Sequence, residues 1–215
     1  MSLVSIFLLS SISCPEVKLQ TNPPVNLTEY TRTTWYVQKQ QINGYQKENS
    51  LYCVAATYNI TNTINVPFYN NKVISVYNYA NLNKVNGISS NNSTVLCARI
   101  PNSSHPEKLL VAPCFLPNIL AGPYWILAAG PSSDNYEWAI VIGGQPSVRV
   151  TNTTCTTKIS GINNSGLWLF SRKTQLPQDD LKQLYNILES KNISSSKLID
   201  VKQENCQYNG AYIKK

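Results

Sequence analysis

The sequence predicts an all-β protein: an eight-stranded up-and-down antiparallel β-barrel with one C-terminal α-helix packed on its outside. Three observations carry that expectation. From Thr34 to about Ile159, short runs rich in Val, Ile, Tyr, Thr and Trp are broken by Asn, Gly and Pro clusters, the pattern of antiparallel strands and their turns. Near the C-terminus the texture changes to an apolar stripe at helical spacing. The chain of 215 residues has no Pro or Gly tract longer than two residues and no repeat of fixed period, so it suits a single domain.

The first segment, Leu3 to Ile12, is apolar and Ser-rich, too short to span a membrane, and is followed by the small residues of Ser11-Ile12-Ser13. It reads as a signal peptide over residues 1–13, although no Lys or Arg precedes Lys18. Residues 14–215 then form the barrel domain. Candidate strands follow at Thr34 to Gln40, Leu51 to Asn59, Lys72 to Tyr79, Thr94 to Ile100, Lys108 to Ala112, Tyr124 to Ala129, Trp138 to Gly143 and Leu167 to Arg172. Closing eight strands into a barrel removes exposed edges. Leu181, Leu184, Tyr185 and Leu188 then fall at i, i+3, i+4 and i+7, one apolar helix face. Pro177 suits the first turn, and Asp179 and Asp180 favour the positive end of the dipole, so a helix is expected from about Pro177 to Lys191. Its apolar face needs the outer wall of the barrel.

Composition narrows the class. Charged residues are 13%, about half the usual share, and polarity comes instead from 25 Asn, 22 Ser and 15 Thr. The net charge of +7 is scattered, with no basic run longer than two residues, so no groove for nucleic acid is indicated. Six cysteines, Cys14, Cys53, Cys97, Cys114, Cys155 and Cys206, lack any CxxC pair, which argues for three disulfides rather than a metal site; spacing alone leaves fifteen connectivities open. Sequons occur at Asn26, Asn59, Asn91, Asn92, Asn102, Asn152, Asn163 and Asn192, about twice the number expected by chance from the composition. Together these features point to a secreted, extracellular glycoprotein, with a lipid anchor on Cys14 as the alternative. No transmembrane span is expected, which leaves peripheral membrane contact open.

Three blocks carry a family resemblance. Thr33-Thr34-Trp35-Tyr36 opens the first strand; Tyr124-Trp125-Ile126-Leu127 leads to Asp134-Asn135-Tyr136 and Trp138-Ala139-Ile140-Val141; Leu167-Trp168-Leu169-Phe170-Ser171-Arg172 ends the last strand. In this order they resemble the conserved blocks of the lipocalins. The tail, from Leu176 through Ser196-Lys197-Leu198-Ile199 to Gln203-Glu204-Asn205-Cys206, is similar to the apolipoprotein D branch of that family, alongside bacterial Blc-type members. Two departures stand out. Thr33 occupies a place where the family carries Gly, and Gly130-Pro131-Ser132-Ser133 reads as a lengthened turn.

The resemblance implies a cavity for a small hydrophobic ligand of the fatty acid, sterol, retinoid or bilin type, bound without covalent chemistry and without a cofactor or metal. Alternation along the strands makes Tyr58 with Ala56 and Val54, Asn78 with Val76 and Ile74, Tyr124 with Ile126, and Trp168 with Phe170 consistent inward sets. The resemblance places Tyr58, Asn78, Tyr124 and Trp168 in the pocket. Trp35 and Arg172 are expected to meet at the closed end, where guanidinium over indole is a structural contact of about 0.5 to 2 kcal/mol. The resemblance also implies Cys53–Cys206 and Cys14–Cys155 bridges, which leaves Cys97 with Cys114.

Two other readings compete with the carrier. An enzyme acting on a lipophilic substrate would need a base, and the single histidine, His105, stands between Ser104 and Pro106 in an expected loop, so no enzyme is expected. A glycoprotein scaffold acting by surface contact would need no cavity at all.

Overall fold

In the computed structural model, residues 13–61, 63–90 and 95–215 are described. The signal-peptide segment apart from Ser13, and the sequons at Asn91 and Asn92, lie outside the described residues. The strands are β1 (Trp35–Gln40), β2 (Tyr52–Thr61), β3 (Val73–Asn81), β4 (Leu96–Arg99), β5 (Lys108–Pro113), β6 (Gly122–Ser132), β7 (Asn135–Ile142), β8 (Val148–Arg149), β9 (Cys155–Thr156), β10 (Leu167–Ser171) and β11 (Ile199–Asp200). Strands β1 to β7 pair in sequence order, β7 pairs with β10, and β10 returns to β1, closing an eight-stranded antiparallel barrel. The closing register sets Val37 against Phe170 and Gln40 against Trp168.

Closure divides the strand residues into two apolar populations. Inside the barrel lie Val37, Val54, Ala56, Tyr58, Ile74, Val76, Ala98, Leu109, Ile126, Val141, Trp168 and Phe170. Outside it, Leu127, Trp138, Ile140, Ile142, Leu167 and Leu169 pack under α2 (Gln178–Ser190), which buries Leu184 and Leu188 against them. A strand whose two faces are both covered loses the simple polar alternation, which is why β7 and β10 read as continuous apolar runs.

The structure corrects the sequence reading at several points. Pro177 is the N-cap of α2 rather than a member of its first turn, with Asp179 and Asp180 following in that turn. A second helical turn, α1 (Leu27–Tyr30), precedes the barrel, capped by Asn26, whose Oδ1 accepts from the Glu29 amide at 3.2 Å. The long turn expected at Gly130–Ser133 is mostly strand: β6 runs to Ser132 with irregular pairing at Gly130/Pro131, and only Ser133 and Asp134 turn before β7 starts at Asn135. Gly130 is required because the Trp138 ring lies where a Cβ would stand. Thr33, at the family's glycine position, has no left-handed backbone; its carbonyl accepts instead from Arg172 Nη1. The two-residue pairs β8–β9 and β11 were not anticipated, since so short a run carries no period.

All six cysteines are paired, as Cys14–Cys155, Cys53–Cys206 and Cys97–Cys114. The second ties the segment after β11 to β2, and Gln203 beside it donates to the carbonyls of Val37 and Val54, each at 2.7 Å. From there the tail crosses the outer face of β1 to β3, where Tyr208 lies against Tyr36 and Tyr79, and Tyr212 against Tyr77.

Candidate functional site

At the closed end of the barrel, α1 brings Tyr30 beneath the lumen. The Tyr30 and Trp35 rings lie 5.2 Å apart, and Trp35 Nε1 donates to the Tyr30 carbonyl at 2.9 Å. The Arg172 guanidinium sits 3.5 Å from the Trp35 ring centroid. Its nitrogens donate to the backbone carbonyls of Tyr136 (3.1 Å), Glu29 (2.9 Å), Tyr30 (3.0 Å) and Thr33. Burial pulls the Arg172 pKa down to about 10, still far above neutrality, so the cation persists and its charge is met by oxygen dipoles and the indole face. Glu29 completes this plug, taking hydrogen bonds from Arg32 Nε at 2.9 Å and the Tyr136 amide at 3.0 Å.

Above the plug three phenols form a chain. Tyr124 Oη lies 2.7 Å from Tyr30 Oη and 2.7 Å from Tyr58 Oη. Burial raises the pKa of all three above the ordinary tyrosine value of 10.0, because a phenolate there would lose its hydration. Each is therefore a neutral hydroxyl at physiological pH.

The walls follow from strand alternation. Val54, Ala56 and Tyr58 on β2, Ile74 and Val76 on β3, Ile126 on β6, and Trp168 and Phe170 on β10 share the inner cluster, with Tyr124 partly buried against it. Asn78 lies between Val76 and Ala80, which belong to that cluster, while its neighbours Tyr77 and Tyr79 stack on the tail outside. Asn78 thus takes an inward position, yet it is solvent-exposed, so water reaches the lumen. Tyr45, on the β1–β2 connection, gives the same indication: it is 69% exposed, yet surrounding protein pushes its pKa up to about 12 and its phenol interacts with that of Tyr58. Gln40, the cross-strand partner of Trp168, is fully buried and leaves Oε1 without a partner among the described residues.

Tyr30, Tyr45 and Gln40 were missed in the sequence. Tyr30 and Tyr45 precede and follow strand β1 in segments with no readable period, and Gln40 changes face because the β1–β10 register shifts between Val37 and Lys39.

The mouth is formed by the β1–β2, β3–β4, β5–β6 and β7–β10 connections. These touch one another: Gly44 packs on Gly161, Ile162 on Gly122, and the Asn83 amide donates to the Asn49 carbonyl at 2.7 Å. Exposed Tyr45, Ile88, Phe115, Ile119, Leu120 and Ile162 form an apolar rim there, while Phe68 is exposed at the opposite end. Of the 11 acidic residues only Glu48 falls on these connections, against exposed Lys47, Lys84 and Lys158.

Two other features lie elsewhere. His105 faces Glu107 at 3.0 Å in the β4–β5 connection at the closed end, apart from the lumen. A groove of about 430 Å³ runs outside the wall between Leu19–Pro23, the β6–β7 hairpin and the end of α2. It is crossed by protein hydrogen bonds from the Ala129 amide to Gln20 and from Lys191 to the Lys18 carbonyl.

No family model matches the sequence. The chain is 26% identical over 193 residues to apolipoprotein D of Cavia porcellus, covering 90% of this chain and 84% of that protein. Among solved structures it resembles lobster apocrustacyanin A1, with a TM-score of 0.57 at 17% identity over 94% of this chain and 98% of that one. It also resembles insecticyanin from the tobacco hornworm Manduca sexta, with a TM-score of 0.51 at 18% identity over 87% and 85%.

Proposed function

We propose that this chain is a lipocalin that captures and carries a small hydrophobic ligand in the barrel lumen, a reading supported by its likeness to apolipoprotein D and by the closed barrel with one outer helix. The observation that carries the proposal is a closed apolar barrel whose inward-facing Asn78 is nonetheless open to water. Aliphatic and aromatic walls exclude water from an apolar cargo, while Asn78 and the tyrosine hydroxyls supply a few orienting hydrogen bonds. Val54, Val76, Ile126 and Phe170 form the wall, and Tyr58, Tyr124 and Trp168 contribute ring surface.

Titration with a panel of retinol, a sterol, a fatty acid and a bilin is expected to quench tryptophan emission with 1:1 saturation at micromolar affinity or better. Of the four tryptophans, Trp35 is in the plug and Trp138 packs under α2, with Trp125 beside it, so Trp168→Phe should remove most of the quench. An unchanged spectrum with every panel member would leave only the scaffold reading.

The apolar, weakly basic mouth suits loading from an anionic lipid surface, and we place the peripheral membrane contact there. Transfer from anionic vesicles should then outpace transfer from neutral ones.

Secretion is supported by the complete pairing of the cysteines, which belongs to oxidising compartments. The Cys14–Cys155 bridge occupies the sulfur that a lipid anchor would need. Asn26, Asn102, Asn152, Asn163 and Asn192 are exposed and accessible for glycosylation, whereas Asn59 is half-buried within β2. Protein from a secretory host should lose mass on treatment with an N-glycosidase, with Asn59 unmodified in the peptide map; an unchanged mass contradicts the glycoprotein reading.

A further inference from the structure

Three polar features stand out beside the apolar walls: the His105–Glu107 pair, the buried Arg99 guanidinium, and the hydroxyl chain of the phenols at the lumen floor. The first pairs a half-exposed His105 with a buried Glu107 in a connection at the closed end, away from the lumen walls. Arg99 donates through Nη1 and Nη2 to the carbonyls of Cys97, Ala112, Pro113 and Leu116, a structural clamp on the mouth connection, and its buried Nε has no partner among the described residues but faces strand backbone rather than the lumen walls. The phenol chain makes a chemical statement about the cargo.

Three hydroxyls carry three protons, and the two contacts within the chain use two of them. One donor is therefore left over, on Tyr58, Tyr124 or Tyr30 according to which way the chain runs. Burying an unpaired donor forfeits its hydration with nothing in return, so an acceptor at this place is favoured. An anionic acceptor is not. The inward positions of β2, β3, β6 and β10 named above hold no Lys, Arg or His. The nearby Arg172 already donates to four carbonyl oxygens beneath Trp35. A carboxylate at the floor would lose its hydration and gain a single neutral donor, which does not compensate.

We propose that the ligand sits with one end on the Tyr30–Tyr124–Tyr58 hydroxyl chain, and that this end is an uncharged oxygen, a ketone, aldehyde, ester or hydroxyl. The inference rests on the carrier reading and narrows its cargo to neutral oxygenated lipophiles, setting aside fatty acids and the carboxylate-bearing bilins. The same burial that keeps the phenols protonated disfavours a carboxylate among them.

Matched probes test it. Retinal and retinol are compared with retinoic acid, and parinaric alcohol with parinaric acid, by fluorescence titration at pH 7.5 against the full-length protein. The neutral members should bind at least about tenfold more tightly than the acids, and the triple variant Tyr30→Phe, Tyr58→Phe, Tyr124→Phe, which removes every donor of the chain, should weaken retinal by about tenfold while leaving retinoic acid unchanged, the scale of one hydrogen bond. Should the triple variant melt early, Tyr58→Phe with Tyr124→Phe, which leaves only the deepest hydroxyl, Tyr30, serves as the second variant, with a loss in the same direction. Equal binding of acid and neutral partners, or a well-folded triple variant indistinguishable from the parent with retinal, overturns the inference while the carrier stands. Silence from every probe overturns the carrier reading and this inference with it.

Discussion

Trp35→Ala is expected to lower the unfolding free energy by about 3 to 5 kcal/mol, the range for removing a large aromatic side chain from a packed core. The magnitude follows from what the indole touches. It is fully buried, packs in tilted contact with Tyr30 and Phe170, holds the end of α1 through Nε1, and covers the Arg172 guanidinium. Truncation leaves a cavity at the barrel floor and exposes a half-buried cation to it. Arg172→Met keeps the volume and removes the charge, so it should cost less, although four carbonyls then lose their donors. Urea unfolding followed by far-UV circular dichroism measures both. A loss below about 1 kcal/mol for Trp35→Ala would mean that the floor is not a cooperative part of the barrel.

Replacing Cys53 and Cys206 together by alanine should cost about 2 to 5 kcal/mol, because the bridge joins residues 153 apart and closes most of the chain into one loop in the unfolded state. The structural effect should be local. Gln203, Tyr208 and Tyr212 hold the tail on β1 to β3 only as long as the segment after β11 stays in place. Limited proteolysis of the double variant should therefore release a fragment from within residues 203–215 while the barrel resists. Cleavage in the barrel strands at the same rate would show that the bridge supports the whole sheet.

Most strands were legible because strand formation leaves a local trace. The runs at Lys72 to Tyr79 and Lys108 to Ala112 needed only β-branched and aromatic residues between Asn, Gly and Pro clusters, and β3 and β5 begin within a residue of those starts. The α2 face at Leu184 and Leu188 was equally plain, since a 3.6-residue period needs no partner to be seen. The Gly130–Ser133 segment failed for a physical reason: Gly and Pro usually mark a turn, and here they serve a strand whose backbone must admit the Trp138 ring. Lumen residues on β2, β3 and β10 could be chosen by alternation, while Gln40 could not, because a register shift reverses the face.

What the sequence determined alone is the local grammar: all-β class, one outer helix, an even set of cysteines, and which residues on most strands share a face. Periods of 2 and 3.6 are properties of neighbouring residues and survive without tertiary context. What only the tertiary structure decided is which distant groups meet. Tyr30 and Tyr124 are 94 residues apart, and their hydroxyl contact exists because barrel closure brings α1 under β6. The apolar rim likewise exists only because four separate connections end on the same side of the barrel. Those juxtapositions depend on register and closure, which are long-range pairings, and it is they that turn a folded sheet into a site with a chemical preference.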